Sequence, residues 1–289
     1  MMSFSLGNSG LMTTTLAEQT PQRRYGLTFS IMNGAAPVGA FMGPLIGGPL
    51  VNRYGFRTLL ALNAILTLAT ALELASGYKD HYQGKGGERL LTMALDSVRI
   101  IYSSPRSRPL FPALFLLDAG WMLAYTYLPL ATTRLYQGPD QGTAVGLIMG
   151  VGGLSALVFS PLIGALADRY VHWRVLLAGA LEQVILWPIP SLAHELVSFG
   201  LAWAIINGLA SGIFAISFSV LASSSPTHVR GRIMSFSYLP VNMGVVIGPA
   251  IGSLVTRSIV FAVFPTASAL TALSIGMLLI AHRNAALPD

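Results

Sequence analysis

The sequence predicts an all-α polytopic membrane bundle of about eight full transmembrane helices and a partial one at its N-terminal end. Three observations predict it. Of 289 residues, 53% are hydrophobic and only 10% are charged, whereas soluble domains carry about 25% charged residues. Apolar stretches of about 20 residues, enough to cross a bilayer, recur along the chain. Glycine- and proline-containing segments are repeated. This composition argues against a soluble enzyme.

The apolar stretches account for most of the chain. They run at about 26–51, 56–77, 109–131, 143–167, 172–191, 196–222, 232–256 and 259–281. One long polar connection, 78–108, separates the second stretch from the third. Its apolar residues recur near the helical period beside charged ones, which predicts an amphipathic helix lying in the membrane surface. A solvated linker is the alternative.

The basic residues predict the orientation in the membrane. Of the 17 lysines and arginines, 13 fall in loops on one side and only four on the other: Arg53, Arg57, Arg134 and Arg257. Cytoplasmic loops are enriched in Lys and Arg, so the side with 13 is predicted to be cytoplasmic. Basic residues scattered in this way do not indicate a nucleic-acid partner. The absence of cysteine excludes disulfides and thiolate metal sites, and no cofactor or metal is predicted.

An internal repeat predicts how the helices are arranged. Residues 7–50 match residues 212–255, and the segment Pro44–Gly47 recurs at 161–164. Helix triplets nested in six-helix halves are a known transporter architecture. Since residues 1–20 match the later part of the stretch at 196–222, we expect an incomplete copy of a twelve-helix protein; a natural eight-helix protein is the alternative. The sequence thus divides into three predicted units. Residues 1–77 are the remnant of an N-terminal half and contain the end of helix four with helices five and six. Residues 78–108 are a cytoplasmic connection, and residues 109–289 are a six-helix C-terminal half.

One helix of each half carries a glycine-proline motif. Gly39, Gly43 and Gly47 share a helix face, where another backbone can approach closely, and Pro44 adds a kink point. With Gly48, this segment resembles the antiporter motif GxxxGPxxGG in the fifth helix of the major facilitator superfamily. The repeat carries Gly244, Gly248, Pro249 and Gly252. The resemblance implies a bundle of the major facilitator type, similar to drug:proton antiporters.

The loop after 143–167 resembles the same superfamily's cytoplasmic signature GxLaDrxGrkxxL. The matching residues are Gly164, Asp168, Arg169 and Arg174, and the pattern is lost around Val171 and His172. In the family, this aspartate engages a neighbouring helix start and holds one access state shut. The start of the stretch at 232 is the implied partner, because a helix N-terminus favours a carboxylate. A plain turn with topology-setting charges is the alternative.

Two carboxylates lie near the middle of apolar stretches, where an ionisable residue is costly unless it faces protein or water. They are Asp118 and Glu182. A carboxylate in a low-dielectric environment can exchange a proton near neutral pH, as proton-coupled antiport requires. The resemblance favours Asp118 as the coupling site, because helix nine, which carries Glu182, is usually peripheral. The residues that could line a substrate cavity are Trp121, Tyr125, Tyr127, Asn207 and Phe214.

The predicted function is export of a small hydrophobic or cationic compound in exchange for protons, by alternating access of two halves. The expected partners are a small-molecule substrate, protons and membrane lipid, with a monomer in the plasma membrane. Uptake of a nutrient or organic acid, a truncated non-transporting fragment and a membrane-scaffold role are the alternatives. An enzyme is not expected: Gly7-Asn8-Ser9-Gly10 matches the GxSG of intramembrane serine proteases, but all five histidines fall in or beside loops.

Overall fold

The protein is a bundle of long helices. A computed structural model describes residues 25–77, 99, 102, 107–170, 172–224 and 238–285. The helices are α1 (Tyr25–Gly77), α2 (Ser107–Leu135), α3 (Gln141–Arg169), α4 (His172–Leu186), α5 (Leu196–Ser224), α6 (Leu239–Val255) and α7 (Val263–Ala285). Short 3-10 turns at Ile189–Leu192 and Val260–Ala262 precede α5 and α7. The described residues contain no strand, which confirms the all-α prediction.

Helix α1 is two helical segments joined at Gly55. Gly55 has φ 80° and ψ 165°, a conformation that glycine adopts without steric cost. A Cβ built on Gly47 would lie 3.5 Å from a Cδ of Leu59. Twelve residues of straight helix would separate these positions by about 18 Å, so the chain folds back at Gly55. The stretches predicted at 26–51 and 56–77 are therefore distinct segments that meet at this glycine.

Within the described part of the chain, six helical ranges are long and apolar enough to cross a membrane: Val38–Glu73, Arg108–Leu135, Gln141–Ala167, His172–Leu192, Leu196–Leu221 and Val260–Asn284. The shorter apolar helix is α6, Leu239–Val255. This differs from the eight predicted spans for two reasons. The range Val38–Glu73 contains both segments of α1, which meet at Gly55, and residues 225–237, where the predicted seventh span begins, lie outside the described part. The helices make this an integral, multi-pass membrane protein.

Two hydrophobic clusters hold the C-terminal helices together, and α2 contributes to both. One cluster contains Leu110, Leu114 and Leu117 of α2 with Trp173 of α4 and Val220 of α5. The other contains Leu123 and Leu128 of α2, Phe199 and Trp203 of α5, and Phe264 of α7. Burial of these large side chains excludes lipid from the bundle interior. Helix α2 is thus held at two levels by its neighbours, and the residues on its less buried face are fixed in position.

Glycines bring α6 against α2. A Cβ on Gly244 would lie 2.9 Å from the amide nitrogen of Ala119, and one on Gly248 would lie 2.6 Å from the Ala119 carbonyl oxygen. A Cβ on Gly252 would overlap the ring of Tyr127. The small-residue face predicted for the second glycine-proline helix is therefore a close helix contact.

The first glycine-proline helix differs from the prediction. A Cβ on Gly39 or Gly43 would meet no atom within 4 Å, and Gly47 faces Leu59 of its own helix. Close backbone contact is made instead by Gly48, against Gly142 and Gly146 of α3. The reason is geometric: the face of α1 that reaches α3 is rotated away from the stripe of residues 39, 43 and 47.

Three predictions fall outside the described residues. They concern the partial helix at 1–20, the amphipathic helix within 78–108 apart from the few described positions there, and the helix start near 232. They stay predictions.

Candidate functional site

Asp118 occupies a tightly packed position near the middle of α2. A Cβ built on Gly244 of α6 would lie 2.9 Å from the Cβ of Asp118, so α6 contacts Asp118 directly. On another face, a Cβ on Gly120 would lie 3.1 Å from the Ala267 carbonyl oxygen of α7. Asp118 is half-buried, and in the described part of the chain no hydrogen bond or ion pair holds its carboxylate. A carboxylate without such a partner is free to bind a proton or a cation.

Two aromatic side chains lie on the same face of α2 as Asp118. Trp121 and Tyr125 follow it at helical spacings of three and seven residues, and both are half-buried. Their rings are stacked, with centroids 4.8 Å apart at 15°. Tyr125 also approaches the ring of Trp203 of α5, at 6.2 Å. The less buried face of α2 therefore presents one carboxylate beside a flat aromatic surface, which we call the α2 site.

Asn207 of α5 fixes the α2 site against α3. It accepts a hydrogen bond from the Trp121 indole nitrogen at 3.3 Å and donates one to the Gly152 carbonyl of α3 at 2.9 Å. Asn207 is buried, so these bonds compete little with water. The side chain thus links three helices through a single amide and sets the orientation of the Trp121 ring.

The variant Asn207→Leu is expected to destabilise the fold by about 1–3 kcal/mol, because a buried donor and a buried acceptor each lose a partner. The measurement is thermal unfolding of the purified protein in detergent. Asn63→Leu is the matched control, because Asn63 is exposed and its side chain makes no described hydrogen bond. Equal melting temperatures for the two variants would show that Asn207 does not link the helices.

The other suggested cavity residues, Tyr127 and Phe214, make their described contacts away from the α2 site. Tyr127 donates a hydrogen bond to the Pro249 carbonyl of α6 at 3.0 Å, which fixes the part of the α2–α6 contact around these two residues. Phe214 lies edge-on to Phe218 of the same helix, at 5.0 Å and 84°. The described contacts of these two side chains join no residue of the α2 site.

Glu182 lies apart from the α2 site. Helix α4 packs against α5 and α7, whereas the contacts of Asp118 are with α6. Glu182 is half-buried beside Leu181 and Ile185, which are 56% and 64% exposed. In the described part of the chain its carboxylate has no hydrogen bond or ion pair. The structure does not bring the two predicted coupling carboxylates together.

The predicted gating residues surround the short connection between α3 and α4. Arg169 is in the last turn of α3 and Arg174 in the first turn of α4, and both are exposed. A Cβ on Gly164 would meet no atom within 4 Å. Asp168 belongs to α3, but its side chain is not among those described, and the implied partner near 232 is not described either. The gating role stays a prediction.

Two pockets among the described residues lie at the beginning of α2. One, lined by Tyr102, Phe111, Phe115, Pro240 and Met243 among others, has a volume of about 140 Å³. Sites for drug-sized ligands span roughly 300–1,000 Å³, so this pocket is too small for such a compound. A second pocket, lined by Arg108, Pro109, Met277 and Ile280 among others, has a volume of about 470 Å³ and falls within that range. In the described part of the chain, no three His, Asp or Glu side chains cluster closely enough to hold a metal ion.

Residues that were not predicted from the sequence join α1 to α3. Asn52 of α1 hydrogen-bonds to the first turn of α3, accepting from the Gly142 amide at 2.8 Å. Further along α3, Gly146 contacts Pro44 and Gly150 contacts Leu45 of α1. The spacing of Gly142, Gly146 and Gly150 is a small-residue pattern that was visible in the sequence. The role of Asn52 could not be predicted from the sequence, because a polar residue at the end of an apolar stretch is common.

Comparison with known proteins agrees with this architecture. The model of the Major Facilitator Superfamily matches residues 3–186 and, in a second overlapping match, residues 140–288. An uncharacterized MFS-type transporter, YuxJ, of Bacillus subtilis is 24% identical over 253 residues, which are 86% of this chain and 64% of that protein.

Two further relatives have names that refer to drug resistance. The multi-drug resistance efflux pump PmrA homolog of Lactococcus lactis is 26% identical over 261 residues, 88% of this chain and 63% of that protein. Multidrug resistance protein MdtG of Klebsiella pneumoniae is 26% identical over 248 residues, 84% of this chain and 59% of that protein. The chain spans less than two thirds of the length of these relatives.

The resemblance seen in the glycine-proline and loop motifs is confirmed, because the two family matches together cover nearly the whole chain. With its apolar helices and helix-against-helix glycine contacts, the protein belongs to the Major Facilitator Superfamily.

Proposed function

We propose that the protein exports small hydrophobic or cationic compounds in exchange for protons, by alternating access. The observation that carries the proposal is the half-buried carboxylate of Asp118, which has no hydrogen bond or ion pair in the described part of the chain. It lies on the same helix face as the stacked rings of Trp121 and Tyr125. Membership in the superfamily and the drug-resistance names of two relatives support it.

The chemistry of the α2 site suits exchange. Aromatic faces attract cations and also accept apolar compounds, so Trp121 and Tyr125 offer affinity without demanding one shape. The Asp118 carboxylate can hold either a proton or a positively charged substrate, but not both at once. Competition for one carboxylate makes proton binding release the substrate, which is the coupling that antiport needs.

The proposed mechanism uses the predicted division of the chain. Residues 1–77 and 109–289 act as two parts that rock about the α2 site, with 78–108 as the connection on the cytoplasmic side. Asp168 and its neighbouring arginines hold the cytoplasmic end in one access state. The positive-inside pattern supports an orientation with this end in the cytoplasm, and we place the protein in the plasma membrane.

The test is flux in vesicles that contain only the purified chain. With a fluorescent lipophilic cation as substrate and an imposed pH gradient, we expect cation movement against the direction of proton flow, and loss of that movement when a protonophore collapses the gradient. Movement of the cation in the same direction as protons would favour the uptake alternative. No movement in vesicles that hold folded protein would favour the fragment or scaffold alternatives.

A further inference from the structure

The first turn of α3 is capped by a residue from another helix. Asp140 occupies the N-cap position of α3, where an aspartate ordinarily accepts a hydrogen bond from an amide of the first turn, yet its side chain makes no such bond. The Gly142 amide donates instead to Oδ1 of Asn52 on α1, at 2.8 Å. The start of α3 is therefore completed only while α1 is in contact with it.

The Asn52 side chain makes two more hydrogen bonds with the same turn. Its Nδ2 donates to Oδ1 of Asp140 at 3.2 Å and to Oγ1 of Thr143 at 2.9 Å. Both ends of the amide are thus used across the α1–α3 contact. Asn52 and Asp140 are exposed, so water can replace each bond. Bonds of this kind break and re-form easily, unlike buried ones.

The α1–α3 contact is tight at the Asn52 end. Close contacts with the backbone of α1 begin at this end and are made by three glycines of α3: Gly142, Gly146 and Gly153. Further along the same helix, a Cβ on Gly164 would meet no atom within 4 Å, and Leu162 and Leu166 are 60% and 47% exposed. The two helices therefore close the Asn52 end of the bundle.

We propose that Asn52 is a latch residue that holds this end of the transport path shut. Helix α1 belongs to the unit 1–77 and α3 to the unit 109–289, so the three bonds cross the boundary that opens in alternating access. Asn52 is a positioning residue: it touches α3 and not the substrate, and it sets how often the Asp140 end opens. The inference rests on one part of the proposed function, alternating access between two states, and not on the substrate or on proton coupling.

The test reads opening directly and needs no substrate. The chain has no cysteine, so a single Leu45→Cys supplies one reporter in the α1–α3 contact, where Leu45 lies against Gly150. A membrane-impermeant maleimide is added to intact cells and, separately, to inverted membrane vesicles. A second reporter chain with Gln137→Cys, in the α2–α3 connection, identifies which preparation presents the Asp140 end.

Added to the reporter, Asn52→Leu is expected to raise the labelling rate from the Asp140 end by about tenfold, since all three bonds are lost. Asn63→Leu, an exposed asparagine of the same helix, is the matched control and should leave the rate unchanged. Equal labelling rates in the Asn52 and Asn63 variants would overturn the proposal.

A charge exchange separates the latch from general damage to the fold. Asn52→Asp places a second carboxylate beside Asp140 and is expected to open this end, as Asn52→Leu does. The double variant Asn52→Asp/Asp140→Asn restores a donor opposite an acceptor and keeps the bond from the Gly142 amide, so labelling should fall back toward the parent rate. If the double variant labels as fast as Asn52→Asp alone, the hydrogen bonds do not form the latch.

These outcomes are independent of transport. Faster labelling in the Asn52 variants without any substrate flux in vesicles would retain the latch and reject the exporter. Proton-coupled flux with unchanged labelling would retain the exporter and reject the latch.

Discussion

The variant Asp118→Asn is expected to fold normally and to lose export driven by a proton gradient, by about tenfold or more, the scale of typical coupling between two binding sites. Asparagine has nearly the same shape as aspartate but cannot exchange a proton. The packing of residue 118 against Gly244 is therefore kept while the proposed chemistry is removed. The measurement is the initial rate of cation movement in vesicles with and without a pH gradient.

Two other carboxylates provide controls for this variant. Glu73→Gln changes an exposed carboxylate on α1 and should leave gradient-driven flux intact. Glu182→Gln tests the second carboxylate of a membrane-spanning helix, which lies apart from the α2 site. Export that keeps its gradient dependence in Asp118→Asn but loses it in Glu182→Gln would move the coupling site to α4.

The variant Gly248→Ala is expected to destabilise the bundle by about 1–3 kcal/mol, the usual cost of overpacking. Its new methyl group would lie 2.6 Å from the Ala119 carbonyl oxygen and 3.0 Å from the Leu123 amide nitrogen. Both are backbone atoms of α2, so no side chain can rotate to make room. The measurement is the thermal unfolding midpoint of the purified protein in detergent.

The internal repeat supplies the matched control for that variant. Gly43 corresponds to Gly248, and a methyl group there meets no atom within 4 Å. Gly43→Ala is therefore expected to be neutral or to stabilise the helix by up to about 1 kcal/mol, because alanine favours helix more than glycine does. A loss of stability as large for Gly43→Ala as for Gly248→Ala would contradict the different packing of the two repeat-related helices.

Much of the fold could be predicted from the sequence because membrane helices follow from apolar length alone. The two segments of α1, the long helices α2, α3 and α5, and the close glycine face of α6 all have local signals. The contact of a helix face also depends on the neighbour, however, and that neighbour is distant in the sequence. Gly43 and Gly248 stand in matching segments, yet only Gly248 has a described helix against it.

The candidate site could be predicted only in part. A lone aspartate in an apolar stretch is conspicuous, and the helical spacing of Trp121 and Tyr125 puts them on its face. The position of Asn207 depends on the packing of α5 against both α2 and α3, which no local pattern encodes. The same holds for Asn52, whose partner turn begins 88 residues away.

Proton movement driven by substrate tests the central claim most directly. Vesicles that contain the purified chain are loaded with the lipophilic cation and a pH-sensitive dye, then diluted into medium without the cation and without a pH gradient. We expect the lumen to acidify as the cation leaves, because each outward step of substrate brings protons inward, and we expect no acidification with Asp118→Asn. A cation that leaves through the wild-type protein while the lumenal pH stays constant or rises would contradict proton antiport.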